Sequence, residues 1–175
     1  LQRLAAARRA EFKGEVVLLS GPRTCTMRVL SALLSKTAGV TTANAHDARS
    51  LAVALLALEA RTHFALLELR LRPSLADLAS PTCAVSTAVG LMAEEHGRVL
   101  ASVPEHGLVV ANADDARSFA QLLRASARRN ATFGFGSRAD HRVESRTAAG
   151  MRGSMVRIAR PRGGPFEAFV PLFGD

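Results

Sequence analysis

The sequence predicts an α/β fold: a parallel β-sheet flanked by helices, with a short antiparallel β section at its C-terminal end. Three observations carry that prediction. Glu15–Ser20 (EVVLLS), Phe64–Leu69 (FALLEL) and Leu108–Ala111 (LVVA) are short, continuous apolar runs, the pattern of strands buried on both faces. Helix-spaced stretches separate them, so strand and helix alternate along the chain. The last third then changes character, to short strand-like segments between Gly-rich turns, as antiparallel hairpins require.

Taken in order, Leu1, Leu4 and Ala5 fall at helical spacing in an Ala- and Arg-rich opening, so residues 1–14 read as a lead-in helix and residues 15–175 as one domain. After the first strand, Gly21-Pro22-Arg23 makes a turn. Val29, Leu30, Leu33 and Leu34 then recur at helix spacing up to about Lys36, and Gly39 ends that helix. Val40–Ala43 can form a second strand. Asp47 can cap a helix whose buried face is Leu51, Leu55 and Leu58. Arg72-Pro73 breaks the chain after FALLEL, a short helix follows around Leu75–Leu78, and Pro81 precedes a strand at Thr82–Thr87. Met92–Val103 is helical by pattern, closed by Pro104 and Gly107. Asp114 and Asp115 open a further helix that ends in Arg124, Arg128 and Arg129, an arrangement that suits the helix dipole. Thr132–Phe135, Arg142–Arg146, Met155–Ala159 and Phe166–Val170 make up the antiparallel section, with Arg162-Gly163-Gly164-Pro165 as one of its turns.

Composition narrows the function classes. At 175 residues, with 48% hydrophobic and 22% charged residues, the chain can bury a sizeable core and is not disordered. No apolar run approaches the roughly 18–20 residues of a membrane helix, so no membrane partner is expected. Cys25 and Cys83 are too few and too far apart for a disulfide framework or a zinc site. The expected setting is intracellular and reducing, a bacterial cytoplasm or an organelle matrix such as the mitochondrial one, with both thiols buried and inert. The net charge is +8, and only Lys13 and Lys36 among the 23 basic residues are lysines. Residues 118–175 hold ten arginines against Asp140, Glu144, Glu167 and Asp175. Charge so concentrated points either to an acidic partner, RNA first, or to a solvated basic face. The nucleic-acid candidates are Arg124, Arg128, Arg129, Arg138, Arg142, Arg152, Arg157, Arg160 and Arg162. No aromatic–basic interleaving of the single-strand-binding kind is present, and Trp and Tyr are absent.

The chemistry should lie where the first strand turns into a helix, because such turns present backbone N–H groups to phosphate. The segment is Ser20-Gly21-Pro22-Arg23-Thr24-Cys25-Thr26. A phosphate-binding loop needs flexible glycines, a lysine for the terminal phosphates and a hydroxyl for magnesium. Gly21 and Thr26 meet those needs. Pro22 lacks an N–H, Thr24 stands where a second glycine belongs, and Cys25 stands in the lysine position. Arg23 or Arg28 can bind phosphate, but Pro22 and Thr24 would still spoil the wrap.

From Leu4 onward the chain resembles the Mur ligase family, most closely the branch that adds D-alanyl-D-alanine. The resemblance rests on Leu4-Ala-Ala-Ala-Arg-Arg before the first strand and on Ser20–Thr26, which aligns without a gap with the family's T-G-x-x-G-K-T/S loop. It continues through Thr42-Ala43-Asn44, Leu67-Glu68-Leu69 (family E-L-G, with Arg70 for the glycine) and Asn112-Ala113-Asp114-Asp115 (family N-A-D-D). Thr132-Phe133-Gly134 and Ala139-Asp140 match the T-F-G and A-D segments. The resemblance implies the family's P-loop-type sheet and ATP-driven activation of a carboxylate for attack by an amine, with magnesium screening the charge. It makes Glu68 a vestigial metal ligand and Asn112, Asp114 and Asp115 family-matching positions. It also marks departures. The loop carrying the family's metal-binding histidine is absent between Thr87 and Leu91, and His96 replaces the family's modified lysine, with Arg98 for a nearby acid. One His and one Glu are too few for a substitute metal site, and His96 on a polar helix is expected to be solvated.

The family continues beyond Pro171-Leu172-Phe173-Gly174 with closing helices and an amine-binding domain, so the domain is expected to be truncated, leaving one apolar sheet face for other protein chains to cover. The expectation is therefore a catalytically degenerate domain, with no ATP or magnesium cofactor, serving as a structural or interaction module. A subunit of a nucleic-acid-containing assembly such as a ribosome is the candidate setting. The alternative is a divergent ATP-dependent amide ligase of peptidoglycan type, or a subunit of one, using ATP and magnesium.

Overall fold

The computed structural model describes residues 1–21, 25–69 and 73–171. In chain order the elements are α1 (Gln2–Glu11), β1 (Glu15–Ser20), α2 (Cys25–Leu34), β2 (Val40–Ala45), α3 (Ala48–Leu56), β3 (Phe64–Leu69) and α4 (Ala76–Ala79), the last entered by a 3-10 turn at Pro73–Leu75. Then come β4 (Cys83–Ser86), α5 (Leu91–Ala101), β5 (Leu108–Asn112), α6 (Ala116–Arg124), β6 (Arg129–Gly134), β7 (His141–Ala148), β8 (Ser154–Ala159) and β9 (Phe166–Val170). Among the described residues nine strands form one sheet in the order β2-β3-β1-β4-β5-β6-β7-β8-β9. The pairings from β2 through β6 are parallel, and β7–β8 and β8–β9 are antiparallel. The α/β fold read from the sequence is the fold observed.

Crossover handedness distributes the helices. A strand–helix–strand crossover is right-handed, so a helix lies on one face when the chain steps one way along the sheet and on the other when it steps back. β1 to β2 is a step in one direction; β2 to β3, β3 to β4, β4 to β5 and β5 to β6 all run in the other. Accordingly α3, α4, α5 and α6, together with α1, build the large core with Val16, Leu18, Ala65, Leu67, Val109 and Ala111. Among the described residues α2 is the helix on the opposite side, where Met27, Leu30 and Leu34 pack on Val17, Leu19 and Leu66.

Local signals act as read. Asp47 caps α3 by accepting from the Ser50 N–H (2.7 Å), and Ser50 Oγ accepts from the Asp47 N–H (3.0 Å), and Leu51, Leu55 and Leu58 are buried. The lead-in helix α1 has little apolar surface and buries only Ala5. Two arginines fix it instead: Arg8 donates to the Leu58 carbonyl, and Arg9 donates to those of Ala79 (3.0 Å) and Ser80 (2.7 Å).

Two expectations are corrected here. Thr132–Phe135 does not open the antiparallel section: β6 pairs in parallel with β5 through five residue pairs, and β7 itself starts parallel to β6 at Phe133–His141. The helix begun by Asp115 stops at Arg124, capped at Ala125. Arg128 therefore lies in the following loop and Arg129 in β6, too far along for the helix dipole.

Candidate functional site

In an open α/β sheet the ligand crevice lies at the carboxyl ends of adjacent strands whose connections depart in opposite directions. Here those strands are β1, which leads to β2, and β4, which leads to β5 on the other side. The crevice ends at Ser20-Gly21 and Ser86-Thr87-Ala88. Thr87 continues the ladder past the strand, its N–H donating to the Ser20 carbonyl (2.8 Å) and its hydroxyl donating to the same oxygen (3.3 Å). Gly21 sits at φ +131°, a region open to glycine, and a Cβ there would lie 2.8 Å from the Ala88 nitrogen. Gly21 is thus pressed against Thr87 and Ala88 at the strand ends.

Beneath that junction, Ser20 Oγ lies 2.5 Å from His96 Nδ1. Both residues are buried, at 4% and 5% exposure. The solvated histidine expected at position 96 is therefore a core histidine. Burial lowers its pKa, with Glu95 opposing the shift, so near neutral pH the imidazole is uncharged and brings no positive charge to a phosphate. A helical repeat could have placed it, because Ala93, His96 and Leu100 form the buried stripe of α5. Arg98, on the outer side of the same helix, forms an ion pair with Asp77 (2.9 Å).

Strand register decides what these groups can do together. Ser20 pairs with Ser86 and shares the side of Val16 and Leu18, toward α5. Glu68 pairs with Leu19 and Asn44 and shares the side of Leu66, toward α2. Glu68 is buried, but the sheet separates it from His96. Among the described residues no group of three or more His, Cys, Asp and Glu can hold a metal ion. Arg23 and Thr24 lie outside the described residues. Thr26 is half-buried in the first turn of α2. Cys25, at the start of that helix, is exposed rather than buried. Cys83 is only partly buried, yet its thiol is pushed up to about 11, by burial first and Glu15 second, with Arg129 opposing.

The matched segments farther along hold one another. The Asp114 N–H donates to Asn112 Oδ1 (2.9 Å), and the Asp114 carboxylate accepts from the backbone N–H groups of Phe135 (2.6 Å) and Gly136 (2.8 Å). A Cβ on Gly134 would sit 2.6 Å from Asp114 Oδ1, so the glycine of the T-F-G segment makes room for the aspartate of N-A-D-D. Asp115 caps α6 through the Ser118 N–H (2.8 Å) and accepts from the Gly90 N–H (3.0 Å). Those backbone bonds hold its carboxyl below the usual range. Asp140 Oδ2 accepts from the Thr132 N–H and hydroxyl, both at 2.9 Å. Sequence reasoning placed Thr132 and Asp140 in motifs but missed that they bond to each other.

Three of the nine candidate arginines are held by carboxylates. Arg128 is bound to Glu105, Arg142 to Glu144, and Arg157 to Glu144 and Glu167. Among the described residues Arg124, Arg129, Arg138, Arg152, Arg160 and Arg162 form no ion pair. Arg160 and Arg162 line a cleft of about 460 Å³ with Asn130 and His141.

No protein-family model matches the chain, and no curated protein matches its sequence. Solved structures do. One is the UDP-N-acetylmuramoylalanyl-D-glutamyl-2,6-diaminopimelate–D-alanyl-D-alanyl ligase of Acinetobacter baumannii, with a TM-score of 0.87 and 17% identity over 99% of this chain. The MurF ligase of Thermotoga maritima, solved in complex with ADP, gives 0.80 and 18% over 96%. The folylpolyglutamate synthetase of Lactobacillus casei gives 0.63 and 13% over 99%. The chain spans 42%, 43% and 57% of those three chains respectively. What it shares with them is the fold.

Proposed function

We propose that this chain is a Mur-ligase-fold domain that does not catalyse ligation and serves as a structural or interaction module. The observation that carries this reading is the buried Ser20–His96 pair. At the strand end where the resemblance calls for phosphate-binding groups, a neutral imidazole is bound to the first residue of the loop. The position matched to the lysine is an exposed cysteine, and the matched metal ligand Glu68 lies across the sheet from His96. Losing one charge-assisted contact costs about 1.5–3 kcal/mol, so several losses together take nucleotide affinity from micromolar to beyond millimolar.

The test is calorimetry of the full chain with Mg-ATP at about millimolar concentration, alongside an ATPase assay. No saturable heat and no hydrolysis are expected. A saturable isotherm in the micromolar range would overturn the reading and establish the alternative, an ATP-dependent amide ligase or a subunit of one. That alternative draws on the fold shared with an ADP-bound ligase.

A further inference from the structure

The two faces of the sheet are finished very differently. In β4 and β5, Ala84, Ser86, Val109 and Ala111 are buried beneath α5 and α6, while the alternating residues Cys83, Val85, Leu108 and Val110 remain partly exposed. The partly exposed set shares the side of Val17 and Leu19, where α2 covers only the β1–β3 part of the sheet.

Register carries this open side across to the far edge. Val85 pairs with Val110, and Val110 with Ala131. Phe133 pairs with His141. Beyond them Val143 pairs with Ile158, and Ile158 with Phe166. The result is an apolar band from β4 to β9 that no helix crosses among the described residues. Its middle is apolar and its flank is basic. Arg129 pairs with Leu108 on this side, and Arg160 follows Ile158 at two-residue spacing and lies over the Phe166 ring at 5.6 Å. Neither arginine forms an ion pair among the described residues. Among the described residues the carboxylates on this side are Glu15, which borders the same cleft as Arg129, and Glu68, near α2. Asp140 lines the neighbouring cleft but is bonded to Thr132. Two clefts open onto this side: one of about 480 Å³ bordered by Val17, Cys83 and Leu108, and one of about 460 Å³ bordered by His141 and Arg160.

We propose that the open side of the sheet from β4 to β9 is the docking site for an acidic amphipathic helix of a partner protein. The inference rests on the interaction-module reading and names the partner's chemistry. The strands already spend their backbone groups on one another, so an occupant of the face gains by burying side chains rather than by adding a strand. A helix laid on a sheet is also how the other side of this sheet is covered. The apolar band takes the helix's apolar stripe, and Arg129 and Arg160 face its acidic flank. Nucleic acid fits less well, because the band is apolar and Arg128, Arg142 and Arg157 are already neutralised by carboxylates.

The test uses the full chain and two fluorescent helical peptides of about 18 residues with the same Leu/Ala stripe, one carrying Glu and the other Lys on the polar face. By anisotropy, the Glu peptide is expected to bind saturably and at least about tenfold more tightly than the Lys peptide. Replacing Arg129 and Arg160 together by Ala should weaken the Glu peptide several-fold. Replacing Arg3 and Arg124, which lie on α1 and α6 on the other side, removes the same charge and should leave binding unchanged. Val110→Asp should abolish binding of the Glu peptide, with circular dichroism verifying the fold; the arginine variants read the same site without touching the core. Equal affinity for the two peptides, no binding of the Glu peptide, or equal loss in both arginine pairs overturns the proposal. So does displacement of the peptide by single-stranded RNA, which assigns the face to nucleic acid, or a dimer that Val110→Asp dissolves, which assigns it to a second copy of the chain. Mg-ATP calorimetry reads the strand ends, not this face, so failure of docking with ATP still unbound removes the docking proposal alone.

Discussion

Replacing Ser20 by Ala and His96 by Leu, singly and together, tests whether the pair at the end of β1 is a closed structural unit. The two groups meet at 2.5 Å and both are buried, so removing either leaves the other without that partner and without water. Such an orphaned buried group costs about 1–3 kcal/mol. Removing both leaves no polar group stranded, so the double variant should be less destabilised than the sum of the singles, with a coupling energy of about 1–2 kcal/mol. That is a large share of a total stability of about 5–15 kcal/mol. Urea unfolding near neutral pH reads it directly: with a slope of about 2 kcal/mol/M, each single variant shifts the midpoint by roughly 0.5–1.5 M at constant slope. Additive effects, with coupling under about 0.3 kcal/mol, would refute the reasoning, since the side chains would then be open to solvent and available to a ligand.

The same histidine makes stability depend on pH. Its folded pKa lies below 6.5, so below that pH the unfolded chain binds a proton that the folded chain refuses, and stability falls as pH falls. Relative to His96→Leu, the parent chain should lose stability on acidification from about pH 6.5; equal loss in both would assign the effect to other groups. Gly134→Ala places a Cβ 2.6 Å from Asp114 Oδ1, against a carboxylate anchored by two backbone donors, and should destabilise by about 1–3 kcal/mol in the same urea assay. An unchanged midpoint would show that Asp114 is free to move. Cys83, with its thiol near 11, has roughly a thousandth of its population as thiolate at about pH 8. Iodoacetamide followed by peptide mass mapping should therefore modify exposed Cys25 first, and comparable labelling of both would contradict the burial of Cys83.

The family resemblance picked out the site's parts, and their assembly depended on distant packing. The turn at Ser20-Gly21 and the helix start at Asp114 and Asp115 were legible because strand ends and caps are local features, whereas Glu68 and Asn112 stood out only through the resemblance. That Asp114 seats the Phe135–Gly136 backbone, and that Thr132 and Asp140 bond to each other, was not legible, since those contacts bridge loops from different crossovers. His96 was misjudged for a related reason. Its neighbours Glu94, Glu95 and Arg98 are charged and exposed, and only the stripe shared with Ala93 and Leu100 marks it as buried. Cys25 was misjudged in the opposite sense, because α2 is the sparsely packed helix and buries none of its residues fully.

By itself the sequence determined the secondary-structure alternation, the helix starts at Asp47 and Asp115, the parallel character of the sheet and the basic bias of the tail. These follow from apolar period, capping chemistry and composition, all carried within a few residues of chain. The tertiary structure alone decided the side of the sheet on which each group stands. Strand order and right-handed crossovers place α2 opposite the other helices, and a register with a period of two residues sends Ser20 toward His96 and Glu68 away from it. That division keeps the would-be metal ligand and the buried histidine apart. It also leaves the band from β4 to β9 open, because every crossover after β3 among the described residues lays its helix on the other face.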